Sequence, residues 1–361
     1  MEVRSDVLLR RLRNQRLAGE GFERVEDVVR WLGAVQGQDV LASMWALGLR
    51  APASTEAGIE KAIVEGKILR TWPMRGTIHY VPAEDAKWML ELMTPRIVAS
   101  SAKRYRDLDL DEKAFENARE EIRAILEGGK AVTRPDLMGH LEPRGISTSG
   151  QRGYHILYHL AQQGFLCLGP REGKQPTVVM LDEWVPQSRN LTREDSLAKI
   201  ATRYFRSHGP ATLYDFAWWT GLTVADCRAA MDAISSQLEE WEDGQRTLWH
   251  IPSRMPAGDE PDGEPERVML LPFVDEYTVG YRDRSDFLKP EHAERTFHGL
   301  MNVVISDGEI VGMWKRKLAA KKVSVELNLF RGLDGNEGRS LDNVLRRYSE
   351  FLDKSIEPSG V

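Results

Sequence analysis

The fold class is decided by two stretches near the start of the chain, VEDVVRWLGAVQGQDVLASMWALGLR at residues 25–50 and ILRTWPMRGTIHYV at residues 68–81. In the first stretch, Val25, Val28 and Leu32 recur at the spacing of one helix face. In the second, two β-rich runs flank the turn-forming residues 73–76. The predicted elements are helices at 25–32, 40–49 and 55–65, the last with Ser54 as a candidate N-cap, and strands at 68–72 and 77–81. Helices followed by a hairpin predict a winged helix-turn-helix motif.

The same order of elements recurs twice further along the chain. Thr133 and Thr223 are well placed to cap helices, and Asp243-Gly244 is a strong hairpin signal. The second copy is predicted as helices from 133 and at 151–163, with strands at 165–168 and 177–181 around a turn-rich stretch. The third is predicted as helices at 196–207, 213–219 and 223–238, with strands at 238–241 and 246–251.

These repeats predict an α+β fold that is mainly helical, with three tandem winged helix-turn-helix motifs and a C-terminal β-rich segment. Scaffold helices are predicted at 83–93 and 110–126, and a mobile, acidic loop at 252–266. The tail is predicted as strands at 268–271, 303–306, 310–314 and 322–327 and a helix at 340–354. The predicted segments are 1–82 (first winged helix with an N-terminal helix), 83–132 (helical scaffold), 133–190 (second winged helix), 191–252 (third winged helix) and 253–361 (acidic loop, β-rich segment and C-terminal helix).

Composition narrows the function classes. The 361 residues are 42% hydrophobic, and no apolar run is long enough to cross a membrane, so we expect no membrane partner. The chain begins without a secretory leader pattern and has only Cys167 and Cys227, which predicts a cytoplasmic protein without a disulfide framework. The net charge of −6 argues weakly against a nucleic-acid partner. Because the acids cluster between Glu239 and Glu266, a basic face elsewhere stays open.

Five blocks, in order over most of the chain, carry a resemblance to a known family. They are GAVQGQD at 33–39 with WALGLR at 45–50, RTWPMRGTIH at 70–79, GPAT at 209–212 through WWTGL at 218–222, LPFVDEY at 271–277 through YRDR at 281–284, and DGEIVGMWKR at 307–316. With these blocks the chain resembles the AlkZ/YcaQ bacterial DNA glycosylases.

The resemblance implies a C-shaped arrangement of three winged helices around duplex DNA and hydrolysis of the N-glycosidic bond of N7-alkylated purines. It also implies that some relatives unhook interstrand crosslinks and protect organisms that make alkylating toxins. The family's catalytic motif, Gln-x-Gln or Gln-x-Asp, falls on Gln36 and Gln38. Gly37 departs from the pattern, because relatives usually carry a larger apolar residue there.

This chemistry suits two amides. An N7-alkylated purine is cationic and leaves as a neutral base, so no general acid is needed, unlike in glycosidases that use paired carboxylates. What remains is to place a water and to stabilise the developing sugar cation, which fixed carbonyl dipoles can do. Residues two apart on a helix point about 200° apart, whereas they share a face in an extended segment. If Gln36 and Gln38 act together, residues 35–39 are therefore extended or form a turn. The alternative is a merely polar turn between two helices.

The remaining candidates each have a structural alternative. Asp39 could support catalysis, by holding Gln38 or activating water, but we favour an N-cap for the next helix. His79 could line the site, although a structural hydrogen bond is favoured, and Arg75 could contact phosphate. Lys315, Arg316 and Lys317, in or beside a predicted hairpin, suit DNA binding or a solvated surface equally. Two further pairs are Trp218 and Trp219, favoured as core over a base-stacking platform, and His155 and His159, favoured as helix-surface or packing residues over metal ligands.

We therefore predict a monomeric, metal-independent and monofunctional DNA glycosylase that needs no cofactor. Its substrate is double-stranded DNA with alkylated purines, including bulky adducts or interstrand crosslinks. The alternative, from another class, is a non-catalytic winged-helix transcriptional regulator, which would usually dimerise and would not need the two glutamines.

Overall fold

The computed structural model describes residues 2–242, 246–252 and 266–359. Within these residues the longest elements are helices, and the strands form two larger sheets and one two-stranded hairpin. In chain order the α-helices are α1 (Glu2–Asn14), α2 (Val25–Leu32), α3 (Val40–Gly48), α4 (Glu56–Val64), α5 (Ala86–Met93), α6 (Pro95–Ser100), α7 (Ala102–Asp107), α8 (Glu112–Leu126), α9 (Arg134–Leu141), α10 (Arg152–Gln162), α11 (Leu181–Trp184), α12 (Arg193–Ser207), α13 (Leu213–Thr220), α14 (Val224–Ala233), α15 (Glu276–Val279) and α16 (Gly335–Leu352).

The strands are shorter and mostly antiparallel. They are β1 (Val35–Gln36), β2 (Ile68–Met74), β3 (Thr77–Pro82), β4 (Val132–Thr133), β5 (Leu166–Glu172), β6 (Gln175–Met180), β7 (Glu239–Glu242), β8 (Thr247–His250), β9 (Val268–Leu271), β10 (Val303–Ser306), β11 (Glu309–Leu318), β12 (Lys322–Leu329) and β13 (Ser355–Ser359). The fold therefore mixes helix and strand with helix predominant, as the sequence predicts.

The chain forms two compact units. The first comprises the described residues up to Ile59 and those from Leu197 onward, and the second comprises Glu60–Ser196. This division is coarser than the five segments predicted from the sequence, and those segments stay a prediction.

The second unit is built on a sheet in which β3, β2, β5, β6 and β4 are neighbours in that order. The β2–β3 hairpin turns at Arg75 and Gly76, both of which have positive φ, and β2 also pairs with β5 at Arg70 and Leu168. The core lies between this sheet and helices α8, α9 and α10, with Ile122 and Leu160 fully buried. The two hairpins predicted as separate wings therefore share one sheet.

The first unit contains a sheet in the order β13, β12, β11, β10, β9, in which only β13 runs parallel to its neighbour. Helix α3 is fixed to this sheet by Trp45, whose Nε1–H donates to the Leu270 carbonyl at 2.8 Å. The Trp45 ring packs on Tyr348 and Phe351 of α16, with centroids 4.7 and 5.3 Å away. The residues that follow the glutamine motif are thus anchored in a rigid aromatic core.

The element order agrees with the prediction, but several bounds differ. The N-cap predicted at Ser54 is wrong, because the Thr55 hydroxyl accepts from the Gly58 amide. The strands of the second hairpin extend to Glu172 and start at Gln175, because cross-strand pairs shorten the predicted loop to a tight turn. The helix predicted at 223–238 ends at Ala233 and continues as a short 3-10 turn.

Some elements of the structure were not predicted from the sequence, and two predictions fall wholly or largely on residues that the structure does not describe. Helices α6 and α7 and strand β13 were missed, and α16 starts five residues earlier than predicted, at an Asp334 capping box. The Asp243-Gly244 turn and most of the predicted acidic loop, residues 253–265, lie outside the described residues. Within the described ranges, no helix is both long enough and apolar enough to cross a membrane.

Candidate functional site

The segment that carries Gln36 and Gln38 is not helical. Gly33 ends α2 with φ +86°, Val35 and Gln36 form the short strand β1, and the chain stays out of a helix until α3 starts after Asp39. Gln36 is half-buried and Gln38 is exposed. The backbone condition for the two amides to act together is therefore met.

A buried carboxylate fixes this strand. The backbone N–H of Gln36 donates to Glu276 Oε1 at 2.8 Å. The indole N–H of Trp219 donates to the other oxygen, Oε2, at 2.9 Å, and His208 Nε2 lies 3.4 Å from the same oxygen. Glu276 and His208 are both fully buried. Sequence reasoning missed Glu276 as a site residue, although it lies in one of the blocks that carry the resemblance.

The residue before Glu276 anchors the same turn of chain. Asp275 accepts from both terminal nitrogens of Arg50 at 2.9 and 2.8 Å, and neither side chain is exposed. Arg50 also donates from Nε to the Gln15 carbonyl at 2.9 Å. One Asp275 oxygen in addition accepts from the Tyr277 amide and caps α15. Because a buried, bidentate ion pair of this kind fixes geometry, the backbone that presents Glu276 has little freedom.

The Glu276 pocket is lined by aromatic rings. Tyr204 stacks on His208 with ring centroids 4.9 Å apart, and Trp219 packs 5.2 Å from the same imidazole. Burial raises the pKa of Tyr204 well above its usual value, so this phenol stays neutral at physiological pH. Aromatic rings thus pack around the imidazole that contacts the Glu276 carboxylate.

Asp39 is the N-cap of α3, which is the role favoured from the sequence. Its carboxylate accepts from the Ala42 amide at 2.9 Å and so satisfies one free donor at the start of α3. The Arg316 guanidinium lies 3.9 Å from the same oxygen.

The basic run predicted in or beside a hairpin lies in strand β11 of the β11–β12 hairpin. Lys315 and Lys317 are exposed, whereas Arg316 is half-buried and donates to the Tyr348 hydroxyl at 2.7 Å. The three residues therefore divide into two solvent-facing lysines and one arginine held against α16.

Arg75 and His79 belong to the second unit and contact each other. His79 is fully buried, and its Nδ1 lies 2.9 Å from the Thr77 carbonyl, so Nδ1 donates. His79 Nε2 then accepts from Arg75 Nη2 at 3.1 Å, since arginine only donates. The favoured interpretation of His79, a structural hydrogen bond, is confirmed.

Two paired motifs give different outcomes. Trp219 is fully buried, but the prediction that Trp218 is also core is wrong, because 41% of it is exposed. Adjacent residues of a helix point about 100° apart, so only one of them faces the core.

His159 stacks on Phe115 at 3.8 Å, and burial lowers its pKa to about 4. Among the described residues, no group of three or more His, Cys, Asp or Glu side chains could hold a metal.

The comparisons with known proteins decide the family. The model of the family described as DNA glycosylase AlkZ-like matches residues 29–351, which is most of the chain. The chain belongs to the AlkZ-like DNA glycosylases. It is 25% identical over 322 residues to a Streptomyces sahachiroi protein named interstrand DNA cross-link repair glycosylase, and the match covers 84% of this chain and 85% of that protein.

The fold of this AlkZ-like glycosylase is also similar to a solved structure. The Streptomyces sahachiroi DNA glycosylase AlkZ superposes with a TM-score of 0.78 over 98% of this chain and 99% of that one, at 20% identity. The AlkZ-like chain is therefore an enzyme that acts on DNA, and the predicted family is confirmed.

Proposed function

We propose that this enzyme hydrolyses the N-glycosidic bond of N7-alkylated, cationic purines in double-stranded DNA. The observation that carries the proposal is the non-helical Gln36-Gly37-Gln38 segment, whose backbone is held at Gln36 by the buried Glu276. Membership of the AlkZ-like DNA glycosylases supports it. The name of the Streptomyces relative, a cross-link repair glycosylase, supports extending the substrates to bulky adducts and interstrand crosslinks.

In the proposed mechanism, Gln36 and Gln38 direct their side-chain carbonyls at one water molecule and at the sugar carbon. The alkylated base already carries a positive charge, so it departs without being protonated. The carbonyl dipoles stabilise the positive charge that develops on the sugar, and they orient the water for attack on the same carbon. The C–N bond breaks with its electron pair leaving on the base, the new C–O bond forms, and the surplus proton of the attacking water is released to solvent. Undamaged purines are poor leaving groups, so weak catalytic groups of this kind leave them in place.

Asp39 is not required as the base in this scheme, because its carboxylate already caps α3. Because the alkylated purine is already a good leaving group, the attacking water needs no strong general base. Orientation of that water by the two amides suffices in this scheme. Catalytic support by Asp39, which would hold Gln38 or activate the water, is the alternative to this scheme. No Schiff-base lysine enters the scheme, so the enzyme is proposed to be monofunctional and to need neither metal nor cofactor.

DNA binding is proposed to use Arg75 at the tip of the β2–β3 hairpin and the basic run Lys315, Arg316 and Lys317. We further propose that the β2–β3, β5–β6 and β7–β8 hairpins are the wings of three winged helix-turn-helix motifs. The proposed acting species is a monomer, because nothing in the scheme needs a second copy.

The experiment uses duplex DNA that contains N7-methylguanine, followed by heating in alkali to cleave abasic sites. We expect wild-type protein to produce strand cleavage, and Gln36→Ala and Gln38→Ala each to lower the excision rate about 100-fold or more while still binding the duplex. Gln237→Ala, at an exposed glutamine in the same unit, is the matched control and keeps full activity.

Cleavage by the Gln36→Ala, Gln38→Ala double variant at the wild-type rate would remove the proposed site. Binding without any cleavage by wild-type protein, on a panel of N7-alkylated and crosslinked duplexes, would instead show that its substrates lie outside this class of lesion.

A further inference from the structure

We propose that Glu276 is a positioning residue for the excision reaction, acting through the backbone of Gln36. The inference rests on the glutamine site proposed above and deepens it by naming the group that holds that site in place. Glu276 is fully buried and does not need to contact DNA for this role.

The Glu276 carboxylate holds the backbone of Gln36 and the ring of Trp219 in fixed positions. A carboxylate is an acceptor only, and each of its oxygens receives a donor: Gln36 N–H on Oε1 and Trp219 Nε1–H on Oε2. A buried charge is tolerated only when such donors replace water. Moving either donor would weaken the compensation of the buried charge, which couples the position of β1 to that of α13.

His208 supplies a third contact. The Ser207 hydroxyl donates to the Arg203 carbonyl at 2.7 Å, so at 2.8 Å it accepts from His208 Nδ1. The other ring nitrogen, Nε2, lies 3.4 Å from Glu276 Oε2, so the imidazole is held between Ser207 and the buried carboxylate.

The helix that bears Glu276 is itself clamped from two sides. Trp219 bonds the Glu276 side chain, and its neighbour Trp218 donates to the Val279 carbonyl at 3.0 Å. The ion pair of Asp275 with Arg50 holds the other end of the turn. Glu276 is thus a rigid support, and β1 is only two residues long. Side chains in a catalytic site act at full rate only when such supports hold them within a fraction of an ångström.

Glu276→Gln is the informative substitution, because a carboxamide has the same shape and only one acceptor oxygen. That oxygen can serve Gln36 or Trp219, and the NH2 group then faces the remaining donor. We expect the strand to shift, and the single-turnover excision rate on N7-methylguanine duplex to fall about 100-fold, the effect of a small misplacement of reacting groups. The affinity for the same duplex stays unchanged, because Glu276 lies beneath the surface.

Glu337→Gln is the matched control. Glu337 is a second buried carboxylate of the same unit, bonded to Arg331 and Ser306 and capping α16, with no contact to the glutamine segment. It should lose comparable stability and keep the wild-type excision rate. Rates are compared at a temperature where circular dichroism shows both variants folded.

Trp219→Phe is a second test, for the case that Glu276→Gln does not fold. It removes one donor to Glu276 and keeps an aromatic ring, and it should also lower the excision rate without changing the affinity for DNA.

Each outcome decides between the two proposals. A slow Glu276→Gln or Trp219→Phe beside a normal Glu337→Gln supports the inference. If Gln36→Ala is inactive while Glu276→Gln and Trp219→Phe excise at the wild-type rate, the inference is overturned and the glutamine site stands. If Glu337→Gln is as slow as Glu276→Gln, the effect is general and the inference is also overturned. If Gln36→Ala is fully active, the proposed site fails, and the inference fails with it.

Discussion

At the scale of single residues, Asp39 shows how one carboxylate can be assigned two roles. It follows Gln38 directly, so a role in activating water is chemically natural, yet its oxygen accepts the Ala42 amide and begins α3. A serine at this position would keep a cap oxygen and remove the charge. The two roles can therefore be separated by choice of substitution.

We predict that Asp39→Ser keeps both the unfolding free energy and the excision rate of wild-type protein. Asp39→Ala should lose about 1 kcal/mol of unfolding free energy, because a helix N-cap is removed, while the folded protein stays active. Urea unfolding and single-turnover excision measure the two effects. Loss of excision in a stable Asp39→Ser protein would show instead that the carboxylate takes part in the chemistry.

The residues also show what the sequence could reveal. The capping roles of Asp39, Thr133 and Thr223 were predictable, because a cap depends on neighbours within three residues. The contact between Gln36 and Glu276 was not, because 240 positions separate them and no periodicity encodes such a pair. Trp218 and Trp219 had the same apolar character in the sequence, and only the direction in which α13 packs distinguishes the exposed ring from the buried one.

At the scale of elements, the short helix α15 depends on close packing at its end. Gly280 follows it with an ordinary backbone conformation, but a Cβ there would lie 2.6 Å from the Glu276 carbonyl oxygen and 2.7 Å from His208 Cδ2. Neither neighbour can retreat easily, because one is backbone and the other stacks on Tyr204. The glycine is required by space and not by φ.

We predict that Gly280→Ala lowers the unfolding free energy by about 1–3 kcal/mol, the usual cost of overpacking, and slows excision by displacing His208 and Glu276. Gly338→Ala is the control from helix α16, where a Cβ would meet no atom within 4 Å. It should raise the unfolding free energy by about 0.5–1 kcal/mol, because alanine favours helix over glycine. Chemical denaturation of both variants and of wild-type protein tests this. A Gly280→Ala variant as stable as wild type would show that the α15 turn can relax.

Element prediction from the sequence succeeded where the pattern is local. The amphipathic spacing of α2 and the turn between β2 and β3 gave nearly the observed bounds. It missed the parallel strand β13, because its partner β12 precedes a whole helix and the pairing is not visible in either segment. It also missed that β2 pairs with β5, a contact between two hairpins that are each complete in sequence.

At the scale of the whole molecule, the distribution of charge matters more for DNA binding than its sum. The net charge of −6 gives DNA no overall attraction to the protein, so we propose that binding depends on basic segments such as the β11–β12 hairpin. In that hairpin Lys315 and Lys317 face solvent, whereas Arg316 is engaged by Tyr348. The two lysines are thus the better candidates for phosphate contacts.

We predict that replacing Lys315 and Lys317 by alanine weakens duplex binding and makes it less sensitive to salt. The slope of log K against log salt concentration should become shallower by about 0.9 for each lysine that contacts a phosphate. Lys113→Ala, at an exposed lysine of α8, serves as the control and leaves the slope unchanged. Fluorescence anisotropy titrations at several salt concentrations provide the measurement, and an unaltered slope in the double variant would assign the hairpin lysines to a solvated surface.

The bond from Gln36 to Glu276 also joins parts of the chain that are synthesised far apart in time. The ribosome completes the glutamine strand early, and the carboxylate that holds it is added only 240 residues later. Every nascent or prematurely terminated chain that stops before residue 276 carries the two amides without this contact. With Glu276 as the proposed positioning residue, we expect such chains to excise slowly and full activity to require synthesis past residue 276.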